Sequence, residues 1–337
     1  STNLPTDRGT LPGPVLKPRL GGVKDSWVAV VAADGRSLDF LTYFGPNDEK
    51  HKRRDETIRA LGADSAGNIW IGGQTFGTDM TPTADAFQKS LADSPAEPPS
   101  WLDRIFGRDS GKSGLNNSAY IAKLSADGRR LVYFSWLGGS GYDSIETEGM
   151  SDKDGNFYVA GTTSSADFPS SAGAFQTELR GSSPDNGFAG DGFVAKITND
   201  GKLGFATLYG GSRPGNESFF GPAVSGNGIV CATGRFSSTD LPVTRHALQP
   251  DKAGPGDTQD SVLACFSQDG RELVYASYYG GSGTDHGRHI AAGPDLTFYI
   301  AGETNSTDLP LKNAPGRVPA NAYIGKFRLT GTTPDKQ

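Results

Sequence analysis

Short apolar runs with alternating polar positions, closed by glycine-bearing turns, recur along almost the whole chain. The plan is plainest in residues 120–176. There the runs 120–124 and Leu131–Leu137 flank Asp127-Gly128, and a second pair of runs passes through Ile145 and Phe157. A period of two marks a half-buried strand, and Asp-Gly supplies the positive φ that a tight hairpin turn needs. The same pattern predicts hairpins of Ser26–Val31 with Leu38–Phe44, of 193–197 with Leu203–Tyr209, and of 262–266 with Leu273–Tyr279, then a lone strand at 322–327. Glycine corners at 138–143, 210–212 and 280–285 lead into second hairpins whose return strands carry Trp70, Tyr158, Cys231 and Tyr299. Self-similarity at a period of roughly 60 to 90 residues, with four strands to the unit, predicts repeated four-stranded antiparallel sheets.

Composition agrees with this pattern. Forty-seven glycines and 21 prolines beside 35% hydrophobic residues suit an all-β chain with many tight turns. Residues 1–22 read as an extended Pro- and Gly-rich arm, 23–328 as a single body of repeated sheets, and 329–337 as a tail. A net charge of -6 offers no broad attraction for nucleic acid or anionic lipid. No apolar run reaches the length of a membrane span. The first residues lack the charged-then-apolar plan of a signal peptide, so a removed leader and an intracellular chain are both open. Cys231 and Cys265 fall on strands expected to be antiparallel neighbours; a local disulfide is open to them, buried thiols being the commoner state.

The recurring words Tyr-Val-Ala-Gly-Thr-Thr-Ser-Ser-Ala-Asp-Phe-Pro (158–169), Asp-Gly, and the corner Gly-Gly-Ser-Gly-Tyr-Asp (138–143) resemble the SBBP-type β-propeller repeat of bacterial secreted and surface proteins. The resemblance spans residues 25–327. It implies a β-propeller of four-stranded antiparallel blades. The runs after the corners would be innermost, the Tyr-Val-Ala-Gly runs second, the Val-Ala-Lys runs third and the Leu-Val-Tyr-Phe runs outermost. It also implies a secreted or cell-surface location after loss of a signal peptide, with the periplasm as an alternative. Two strands at the start, three full sets and three strands at the end fit five blades with one incomplete; the alternative is four blades, the N-terminal hairpin completing the last, plus one extra strand.

Chemistry is expected where the corners and the loops after the second strands emerge together. Aligned by second strands, the units place Ala60, Glu148, Gly221 and His289 at one equivalent position. Glu148 and His289, with Glu146 nearby, are therefore the candidate acid and base. Asp143, Tyr142, Asp285, His286, Arg288, Arg59 and Trp101, the last in the long insertion 76–118, are candidate binding residues. No metal site is expected: His286 and His289 should point to opposite faces of a strand. Asp152–Asn156 reads as a turn rather than a calcium loop. No cofactor is expected, since phosphate-loop, nucleophile-elbow and zinc-protease motifs are absent. These features favour a non-catalytic module that binds a glycan or protein through its long-loop face. A polysaccharide lyase or glycoside hydrolase and a structural subunit of a larger extracellular assembly are the alternatives.

Overall fold

The computed structural model describes residues 15–17, 25–45, 57–75, 80–91, 117–181, 190–215, 217–313 and 321–330. It is all-β, with seventeen strands and no helix among the described residues. Strands β1 (Ser26–Val31) and β2 (Leu38–Phe44) form a two-stranded sheet. Strands β3 (Thr57–Ala63), β4 (Ile69–Thr75), β5 (Ser118–Leu124) and β6 (Leu131–Leu137) form the next. The third holds β7 (Asp143–Ser151), β8 (Phe157–Thr163), β9 (Asp191–Ile197) and β10 (Leu203–Tyr209). The fourth holds β11 (Ser218–Val224), β12 (Val230–Phe236), β13 (Asp260–Phe266) and β14 (Leu273–Tyr279). The last has three strands, β15 (Asp285–Ala292), β16 (Thr297–Thr304) and β17 (Ala322–Arg328).

Every pairing is antiparallel and follows chain order within its sheet. The alternative in which the N-terminal hairpin completes the last sheet does not occur. β17 occupies the outer side of β16 from Thr297↔Arg328 to Glu303↔Ala322, and β1 pairs with β2 alone among the described strands. The edge strands β3, β7, β11 and β15 lie against one another in that order, and β7 also reaches β15.

Local chemistry sets these hairpins. Gly35, Gly128, Gly201 and Gly270 have φ between 68° and 83°, where a side chain would be strained, and each closes an Asp-Gly turn. The outer strands are shielded by their own loops: Trp136 N–H donates to Gln88 O, Leu208 N–H to Gln176 O and Tyr278 N–H to Gln249 O. In the first sheet the arm does this, Tyr43 N–H donating to Lys17 O at 3.0 Å. Covering an edge in this way removes a template for unwanted strand pairing.

Successive sheets stack by one repeated rule. The third strand of each sheet presents a front position (Tyr120, Phe193, Val262, Tyr323) that packs on the back position of the preceding sheet (Val28, Ile121, Val194, Leu263), each pair sharing one apolar cluster. The turn glycines add a second contact. A Cβ on Gly128, Gly201 or Gly270 would fall against the ring of Phe40, Tyr133 or Phe205 on the preceding outer strand.

Each corner is closed by a buried carboxylate. Asp143 takes hydrogen bonds from Gly139 N–H (2.8 Å), Thr163 Oγ1 (2.5 Å) and Ser165 Oγ (2.9 Å). Asp285 takes them from Gly281 N–H and Ser306 Oγ. In the corner without an aspartate, Glu217 takes the place, accepting from Gly211 N–H and Ser238 N–H. At Gly138 and Gly280 a Cβ would come within 2.4 Å of Asp143 and 2.5 Å of Asp260, which leaves room for glycine alone.

Burial pushes the pKa of Asp143 and of Glu217 up to about 7, outweighing their hydrogen bonds. A folded value above the unfolded one means that the stabilising contribution is full below the unfolded value. It is lost as pH rises towards 7. Asn at 143 mimics the protonated acid, its N–H facing Thr163 and its oxygen kept for Gly139. Asp143→Asn should therefore fold normally and flatten the fall in the urea midpoint between about pH 4 and 7.

Cys231 and Cys265 lie directly opposite each other on β12 and β13 and form a disulfide, so the commoner thiol state is not the one adopted. The bond spans 34 residues of sequence. By the loop-entropy relation its loss costs about 3–4 kcal/mol. The paired Cys231→Ser, Cys265→Ser variant should lower unfolding free energy by that order, checked by denaturant titration beside the oxidised parent.

Candidate functional site

The four edge strands share an irregularity. Each ladder slips near its middle, between Ile58 and Ala60, Ile145 and Gly149, Phe219 and Gly221, and Gly287 and His289. Such bulges free residues from the ladder and re-aim their side chains. Arg59, Phe220 and Arg288 are the single residues freed; in β7 the slip is wider and frees Glu146, Thr147 and Glu148. The second strands add Gln74, Arg235 and Glu303, which stand opposite Thr57, Ser218 and His286.

These side chains form one polar cluster. Arg59 Nη1 lies 3.3 Å from Glu146 Oε2, and Ser144 Oγ lies 3.1 Å from Glu146 Oε1. Phe220 is buried, with the Arg288 guanidinium 4.6 Å and the Arg235 guanidinium 5.4 Å from its ring centre. Arg288 also pairs with Glu303. His286 sits between Glu303 Oε1 at 2.8 Å and Gln259 Oε1 at 3.0 Å.

The candidate pair meets directly. His289 Nδ1 contacts Glu148 Oε1, although β7 and β15 belong to sheets separated by the β11 sheet. Gly221 of β11 makes the contact sterically accessible, since a Cβ there would lie 2.7 Å from both Cβ and Oε2 of Glu148. The His289 side chain is 55% exposed and that of Glu148 30%, so the pair faces solvent.

The electrostatics divide the carboxylates. Burial raises the pKa of Glu146, against the pull of Arg59, the Ser144 hydroxyl, Arg235 and Arg288. Glu303 is held below its ordinary value by hydrogen bonds from Arg288 and then His286. Burial lowers His286, a loss only partly offset by its Glu303 bond. The structure thus pairs Arg59 with Glu146 and Glu148 with His289, and sets His286 and Arg288 on Glu303.

Asp143 and Asp285, expected as binding residues, are fully buried in their corners and cannot face a ligand. Tyr142 is half-buried at its corner, its carbonyl accepting from Ser164 N–H. Trp101 lies outside the described residues. Asp152 accepts from the N–H groups of Asp154 and Asn156, which is turn chemistry. Among the described residues no group of three or more His, Cys, Asp or Glu is placed to hold a metal ion.

Phe220, Arg235 and Glu303 were not singled out by the sequence pattern. For Arg235 and Glu303 a signal was available: after the second-strand glycine the units read Gln74, Thr162, Arg235 and Glu303, a position that varies beside an invariant glycine.

No family model matches the chain, and no curated protein is similar in sequence. Two solved structures match the chain at low similarity. One is a protein of unknown function from Dyadobacter fermentans (TM-score 0.38, 11% identity, 74% of this chain and 62% of that one). The other is a luciferin-regenerating enzyme (TM-score 0.37, 14% identity, 91% of this chain and 72% of that one). The chain thus spans less than two thirds of the length of the first.

Chemically, a solvent-facing imidazole oriented by a carboxylate, with guanidinium groups beside it, can hold an anionic group or move a proton. Gly221→Ala should push the Glu148 carboxylate away from the imidazole without altering any charge. The ring 15N shifts of His289 should then lose the signature of a carboxylate contact, while those of His286 stay as in the parent.

Proposed function

We propose that this chain is a secreted or cell-surface scaffold whose bulge cluster binds a partner bearing anionic groups, an acidic glycan in the first place, without chemical turnover. The observation that carries this reading is the pair of guanidinium groups, Arg235 and Arg288, over the Phe220 ring, with Glu303 on Arg288 and the Arg59–Glu146 and His289–Glu148 pairs on the neighbouring bulged strands. Guanidinium groups take carboxylate or sulfate in a fixed, two-pronged geometry, and interleaved carboxylates accept sugar hydroxyls. The partner approaches on the long-loop side. The net charge of -6 disfavours nucleic acid, and no helix among the described residues is long and apolar enough to cross a membrane.

The resemblance to SBBP-type repeats and the disulfide between Cys231 and Cys265 support an oxidising, extracytoplasmic location. On this reading the stacked sheets are the blades of a propeller, the first and the last of them incomplete. A lyase is the second reading, favoured by the direct contact of Glu148 with His289, which could orient the imidazole as a base.

The test is binding of uronate-bearing and neutral oligosaccharides to the parent, Arg59→Ala, Glu148→Gln and His289→Ala, with unsaturated uronate followed by absorbance. Binding selective for the acidic sugar, weakened about tenfold in Arg59→Ala, as loss of one charge-assisted contact implies, with no product from any variant, is expected. Equal binding of neutral and acidic sugars would end the anion reading. Product from the parent but not from His289→Ala would establish the lyase.

A further inference from the structure

Among the described residues, the stacking rule that joins the sheets leaves two faces without a mate. Trp27 occupies the front position in β1 and is 56% exposed, whereas its counterparts Tyr120, Phe193, Val262 and Tyr323 are buried. Val31 repeats this, at 59%, against buried Leu124, Ile197 and Phe266. At the other end, Ile324 holds the back position of β17 and is 83% exposed, while Val28, Ile121, Val194 and Leu263 are buried. The turn glycines agree: a Cβ on Gly35 would meet nothing within 4 Å, unlike those on Gly128, Gly201 and Gly270.

One internal junction adds a polar contact whose end-face counterparts are also present. Lys123, on the back of its sheet, reaches forward to Asn199 Oδ1 (2.6 Å) and Asn199 O (3.2 Å) in the next Asp-Gly turn. Lys326 is its counterpart in β17, and Ala33 is the counterpart of Asn199 in the first sheet.

We propose that these two faces are mates, and that a second copy of this chain supplies the missing one: the Trp27 face of one copy packs on the Ile324 face of the next. The identity of the occupant follows from the chain itself. Back on front is the interface it builds four times in succession, with aliphatic on aromatic or β-branched side chains, so the end faces carry the same surface as the internal ones. Two different patches meeting in this way make a heterologous, head-to-tail contact, which propagates or closes into a ring. Exposed apolar side chains concentrated on matched faces are what such association buries. Lys326 of one copy then donates to the Ala33 carbonyl of its neighbour.

The test uses Trp27→Thr and Ile324→Thr, which keep strand propensity at positions already open to solvent. Folding is checked by the thermal transition, and association by sedimentation velocity over a concentration series. The parent should form dimers and larger species, each variant alone should lose at least tenfold in association constant, and the two variants mixed should stop at a 1:1 dimer, since each keeps one intact face. The Trp27 emission, taken as the difference between the parent and Trp27→Phe, should shift to the blue as the parent associates. A parent that stays monomeric throughout, variants that associate like the parent, or a mixture no larger than its components would each overturn the proposal.

Discussion

The corners of this chain depend on carboxylates buried where water cannot reach them. A corner must turn the chain from the outer strand of one sheet to the edge strand of the next, which leaves backbone N–H groups pointing inward. Asp143, Glu217 and Asp285 take those donors and tie the corner to the loop after the second strand. The geometry tolerates either acid: where the corner lacks its aspartate, the longer Glu217 reaches the same donor from further along the chain. With the corners held, the edge strands enter at fixed positions, and their bulges open towards one another.

The cluster of side chains is a product of that convergence. Ladder positions on a strand are held by their pairing partners, whereas a bulged residue is released from the ladder. The four bulges therefore place Arg59, Glu146, Phe220 and Arg288 in a shared space, and the wider slip of β7 adds Glu148. Gly221 then decides whether Glu148 can lie across β11 to His289. Contact between sheets that are not neighbours in the stack rests on that one absent methyl group.

Most of the fold was legible in the sequence because each of its devices is local. Alternation gave the strands, Asp-Gly gave the hairpins, and the runs at Ser26–Val31, Leu38–Phe44 and Leu203–Tyr209 have the expected bounds. The site was legible only in part. Aligning the repeats located Glu148 and His289, since a change at an otherwise small position shows without any knowledge of contacts. Asp143 and Asp285 misled, because an aspartate beside glycines reads as a loop group when its burial depends on a strand from the far side of the corner. Phe220 escaped notice for the converse reason: a phenylalanine in a strand looks like core, and only the bulge turns it to the cluster. How the two end sheets relate could not be read from periodicity, which specifies neighbours and not closure.

The bulges also separate what the scaffold is from what it distinguishes. Residues in the apolar clusters are constrained by both neighbouring sheets, so a change in one demands a change in another. The bulged positions are freed from the ladder. Arginine, glutamate, phenylalanine and arginine stand at equivalent sites on the same backbone, and each could be exchanged without disturbing register. Four positions, one to a strand, released from the ladder and answering to one another through the Arg59–Glu146 and Arg288–Phe220 contacts, amount to a combinatorial alphabet: chains with identical cores could diverge in selectivity by a handful of codons.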